Sequence, residues 1–176
     1  MKALQRWFWW LLLANIIFVV CADTLLRPLT YGEMVRFEIA KHIATAEGIL
    51  LEWRQLGLLQ KALYGVYFNF AFIGLYTAGL AVGCAYLSKL TGHEILIRAA
   101  RAGTWLLVGA GICDIIGNTA MLNSLLHGVS HWNAMLAYDM AAARFSVIIL
   151  SLLFMMICLV FWLGGRLADR DERMTF

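Results

Sequence analysis

A chain of 176 residues that is 62% hydrophobic and only 14% charged lies far from the composition of a water-soluble domain. Its net charge of +3 is small and scattered along the chain, which argues against a nucleic-acid-binding surface. The length suits one integral membrane domain, and the mean hydropathy of +0.78 points to lipid as the solvent.

The first apolar stretch, residues 7–27, is the shortest of four candidate spans. Lys2 and Arg6 before it, and Val20-Cys21-Ala22 near its end, give it some character of a secretory signal. The Trp7-Phe8-Trp9-Trp10 run reads instead as an interfacial belt, and apolar character resumes at Leu25-Leu26 beyond Asp23, so a retained helix is expected. Pro28 closes it, and Thr30-Tyr31-Gly32-Glu33 has the form of a capping box. From there Val35, Ile39, Ile43, Ala46, Ile49, Leu50 and Trp53 recur at helical spacing, predicting one amphipathic helix over residues 31–53. The next spans are expected at residues 63–87, 104–126 and 141–164, with a short helix in the 88–101 connection. The expected fold is therefore all-α: a four-helix transmembrane bundle with an amphipathic outer-face helix between the first and second spans.

Lys and Arg cluster at the N-terminus, in the 88–103 connection (Lys89, Arg98, Arg101) and in the tail (Arg166, Arg170, Arg173). The 127–140 connection has none, so both termini are expected in the cytoplasm. Cys21, Cys84, Cys113 and Cys158 fall one per apolar stretch with no CxxC pair, which speaks for small buried residues rather than a disulfide relay. Gly103, Ala110, Gly111 and Gly117 make one side of the third span small, as close helix packing requires.

Ionisable groups inside apolar spans are costly and count as functional candidates. Here they are Asp23, Asp114 and Arg144, with Asn69 and Asn118 as neutral companions and Asn15 on the first span. Counted from the inner ends of the spans, Asp23, Asn69, Asn118 and Arg144 rise to ~21–28 Å and Asp114 to only ~15 Å. That ladder predicts an Asp23–Arg144 ion pair, with Asp114 turned to the bundle interior and Asn69 and Asn118 satisfying the remaining donors and acceptors. The plainer alternative is that these groups fix helix pairing and bind nothing. Glu38, His42, His127 and His131 are weak candidates for a cation site at the outer surface, where histidines more commonly just form hydrogen bonds. No histidine lies deep in a span, and neither a metal nor a cofactor is expected.

The segments Phe37-Glu38-Ile39-Ala40, Ile49-Leu50-Leu51-Glu52-Trp53 and Asp114-Ile115-Ile116-Gly117-Asn118 carry a resemblance. They resemble a group of bacterial four-span membrane proteins with an F-E-[LI]-A segment, an I-L-x-x-W, a D-x-x-E-N in the third span and a basic–aromatic pair opening the fourth. Asp23, Pro28 and Arg144-Phe145 also sit at that group's places, while Gly117 replaces its acidic residue. The resemblance covers roughly residues 20–160 and implies an inner-membrane protein; the group has no assigned activity. Without a nucleophile–base pair, a phosphate loop or a zinc motif, a non-enzymatic accessory or sensor subunit is the first expectation. Its partners would be membrane lipids together with a protein partner or a second copy. The alternatives are a binder or transporter of a lipid or small amphipathic solute, and last a lipid-modifying enzyme using Asp114 with Glu38 or His42.

Overall fold

Apolar runs free of proline keep every backbone donor and acceptor inside the helix, the requirement lipid imposes. The computed structural model of the protein describes residues 1–174, with side chains through Leu167. It consists of α1 (Lys2–Leu26), α2 (Tyr31–Glu38), α3 (Ile43–Gln55), α4 (Leu59–Thr91), α5 (Glu94–His127) and α6 (His131–Met174). Four of these, α1, α4, α5 and α6, are long and apolar enough to cross a membrane. Arg170 and Arg173 of the basic tail lie outside the described side chains.

Three spans run longer than their apolar cores. Instead of a separate helix over 88–101, α4 continues to Thr91 and α5 starts at Glu94. Gly92, at φ +71°, makes the reversal between them in a conformation that costs glycine little.

The central helix is α5, buried at intervals from Ala100 to Leu125. Its small residues serve two different neighbours. A Cβ on Gly111 would meet Thr77 of α4 at 3.2 Å, and one on Gly117 would meet the Met140 Cβ of α6 at the same distance. Gly103 faces open space and takes no part. By contrast, α1 is peripheral: Leu26 alone among its residues is buried, and its main packing partner is α4. Asn15 donates from Nδ2 to the Leu75 carbonyl at 3.2 Å, across a surface kept flat by Gly79. Phe8 stacks on Tyr86 and Phe18 on Phe72, with ring centroids 5.2 and 5.3 Å apart. The four cysteines are free thiols, Cys84 and Cys158 buried.

The amphipathic segment forms two helices rather than one. Thr30 caps α2 as expected, its Oγ1 accepting from the Glu33 amide at 3.3 Å. However, α2 buries Met34, Phe37 and Glu38, not Val35 and Ile39, and α3 buries Ala46, Ile49, Leu50 and Trp53. An uninterrupted helix would carry the first set onto Lys41 and Gly48. The break at Ile39–His42 resets the phase so that both faces turn inward, bringing Phe37 within 5.2 Å of Trp53.

Trp53 is 1% exposed at the heart of this cap, whereas Leu51 is exposed. Trp53→Ala should lower stability by about 3–5 kcal/mol and Leu51→Ala by less than about 0.5 kcal/mol, read by unfolding in a mild detergent. Equal losses would mean that the cap does not pack as described.

Candidate functional site

From the shared turn that joins them, α5 and α6 run back side by side. Asp114 is thirteen residues before the end of α5 and Arg144 thirteen after the start of α6. Each therefore lies ~20 Å from the turn, and the two are level. A ladder counted from the opposite ends of the spans misses this, because the helices extend unequally beyond their apolar cores. The Arg144 Nη1 group donates to Asp114 Oδ1, and Asp23 takes no part in this contact. Asp23 instead pairs with Arg27, the residue just past the end of α1, at 3.2 Å on the exposed surface. The expected Asp23–Arg144 pair is thus replaced by Asp114–Arg144.

The second carboxylate on Arg144 comes from outside the spans. Glu38, the last residue of α2, accepts from Arg144 Nη2 at 2.7 Å and is 4% exposed. Tyr76 of α4 donates its hydroxyl to Asp114 Oδ2 at 2.9 Å. Asn118, one turn beyond Asp114, donates to Asp114 Oδ1 at 3.0 Å and to the Asp114 carbonyl at 3.1 Å. One hydrogen-bonded network thereby joins α2, α4, α5 and α6. It brings together three of the five expected polar residues (Asp114, Asn118 and Arg144) and adds Glu38 and Tyr76.

The network is incomplete. Among the described residues three buried side-chain polar atoms lack a hydrogen-bond partner, and two of them, Glu38 Oε1 and Arg144 Nε, belong to it. One guanidinium faces two carboxylates. Burial pushes the Glu38 carboxyl above the ordinary carboxylate range; Arg144 pulls it back and the Asp114 charge adds to the rise.

Two cavities flank this network. The smaller, about 210 Å³, lies between α1, α2, α4 and α5, and its polar lining is Asp23, Tyr31, Glu38, Asn69 and Asn118. The larger, about 430 Å³, has α1 on one side and α6 on the other, with α4 between them. Arg144, Asp114 and Tyr76 line it at the level of the network, and Leu12, Leu80, Ile148 and Leu152 are among its apolar lining. Tyr31, Asn69 and Phe72 line both cavities. Asp23 and Asn69, though outside the ion cluster, thus belong to the same site as walls of its cavities.

The surface cation candidates are not gathered. Glu38 is committed to Arg144, His42 is exposed at the start of α3, and His127 shares a 2.9 Å hydrogen bond with Asn123. His131 opens α6, and among the described residues no three His, Cys, Asp or Glu side chains converge. Sequence reasoning reached Glu38 only as a weak surface cation candidate and not as a partner of Arg144, because a glutamate on an amphipathic helix reads as part of its solvent face. The usable signal was its i, i+4 spacing from Met34 and its adjacency to Phe37.

Comparison with protein-family models, curated proteins and solved structures finds no match for this chain.

Removing one member of a buried ion cluster strands the others, whereas replacing all by apolar groups does not. Arg144→Met should therefore cost about 3–5 kcal/mol of unfolding free energy, while the triple variant Glu38→Leu/Asp114→Leu/Arg144→Met should recover most of it. A triple variant as unstable as the single one would show that these three charges are not a mutually compensating unit.

Proposed function

We propose that the protein binds one single-chain amphipathic molecule inside the membrane, its polar head at the Glu38–Asp114–Arg144 cluster and its tail in the groove between α1 and α6. The observation that carries this reading is the pair of cavities beside a buried ion cluster with an unpartnered acceptor, Glu38 Oε1, and an unpartnered donor, Arg144 Nε. Apolar walls with a few convergent polar groups are the usual make-up of a ligand site. The groove wall on α6 runs from Arg144 to Met155, a length of ~16 Å at helical rise. A volume of about 430 Å³ over that length leaves room across its width for about one hydrocarbon chain. The cavities favour this binder over the accessory subunit, since helix pairing alone has no need of them.

In this reading the chain sits in a bacterial inner membrane with both termini in the cytoplasm, as its basic residues favour. The cap of α2 and α3 then covers the outer side, and the ligand enters sideways past the loosely held α1. No residue is assigned a catalytic role.

Leu152 lines the groove and is exposed, so a larger side chain there fills the groove without disturbing the packed interior. Native mass spectrometry of protein released from lipid nanodiscs should find one bound amphipath per chain, reduced at least tenfold in Leu152→Trp at unchanged helicity. Equal occupancy in the two proteins would rule out the groove as the binding place.

A further inference from the structure

The smaller cavity has an uneven charge. Its lining includes the carboxylates of Asp23 and Glu38, and neither lysine nor arginine is among the residues that line it. Glu38 lines this cavity, is 4% exposed, and its Oε1 is buried without a hydrogen-bond partner. The ion cluster beside it holds one positive charge against two negative ones. A net negative charge in an apolar interior must be neutralised, either by protonation or by a cation.

We propose that the head site recognises a primary ammonium group, which replaces the single proton that neutralises the Glu38–Asp114–Arg144 cluster when the site is empty. This rests on the groove reading above and names its ligand class: a single-chain amine. Its ammonium donates to Glu38 Oε1, while Tyr31, Asn69 and Asn118 offer further polar contacts around the same cavity. As the ammonium enters, the proton shared by the two carboxyls leaves for water, so the cluster carries the same total charge before and after. An anionic head in the smaller cavity would meet Glu38 and Asp23 with no basic side chain on that wall, and Arg144, which lines the larger cavity, already has two carboxylates on it. A neutral alcohol could donate to Glu38 but would leave the charge uncompensated.

The groups facing Glu38 fix the sign of the pH dependence. Arg144 of α6 stays cationic, Tyr31 of α2 and Tyr76 of α4 stay neutral, and Asn118 of α5 does not titrate. Asp23 faces the cavity from α1 but is paired with Arg27 at the surface. The titrating unit is therefore the coupled Glu38–Asp114 pair, and burial holds the Glu38 carboxyl above its ordinary range. A proton and an ammonium that compete for one place make amine affinity rise with pH, by up to about tenfold per unit, until the pair is fully ionised.

The test measures binding of hexadecylamine, hexadecanol and hexadecyl phosphate to the full chain in nanodiscs of zwitterionic lipid. Wild type should bind the amine about tenfold more tightly than the alcohol and the phosphate weakest of all. Amine affinity should fall at least tenfold from about pH 8 to about pH 5 while alcohol affinity stays flat. In Glu38→Gln the amine should bind no better than the alcohol and lose its pH dependence; retained alcohol binding shows that this variant is folded. Equal binding of all three heads, blocked by Leu152→Trp, would overturn the amine proposal and leave the groove intact. Binding of none of the three, or binding indifferent to Leu152→Trp, would overturn both.

Discussion

A guanidinium buried among apolar helices must be met by opposite charge, and the placement of Arg144 constrains much of this fold. Its two carboxylate partners come from different parts of the chain: Asp114 from the adjacent span and Glu38 from the cap. Because Asp114 is in turn held by Tyr76 and Asn118, the cluster fixes the rotation of α4, α5 and α6 together. It also pins α2 down onto the bundle, which a short helix of eight residues could not achieve by its own stability. Such a cluster contributes specificity of arrangement more surely than net stability, since its charges must first leave water.

The same arrangement explains why a groove exists. Gly111 and Gly117 draw α4 and α6 close to α5, making a tight three-helix core. The fourth span joins that core differently: α1 touches chiefly α4, through Asn15 and a few aromatic rings. The space between α1 and α6 is left unfilled, and it ends at the ion cluster. A polar site facing an apolar groove follows directly from one span standing apart from three.

Much of the fold could be read in the sequence because span length and hydropathy are local properties. The four spans, the cap segment and the small faces of Gly111 and Gly117 all belong to this class. The pairing of the charges did not, because it depends on which end of a helix serves as the origin. Counting inward from the α5–α6 turn puts Asp114 and Arg144 level; counting from the other ends separates them and makes Asp23 seem the nearer partner. The break after Glu38 was hidden for a related reason. The apolar residues of 31–53 can be strung into one helical stripe, and only the burial of Met34, Phe37 and Glu38 shows that the stripe changes phase. Only its place one turn after Met34 and beside Phe37 separates Glu38 from Glu33, Glu47 and Glu52, which lie toward the surface.

Direct coupling between the cap and the fourth span holds this site together, and a double-mutant cycle on Glu38→Gln and Arg144→Gln measures it through unfolding in mild detergent. The predicted result is a coupling energy of about 2 kcal/mol or more, with the double variant far less damaged than the sum of the two single ones. Additivity within about 0.5 kcal/mol would contradict it, because the two side chains would then not share the buried contact from which the site is built.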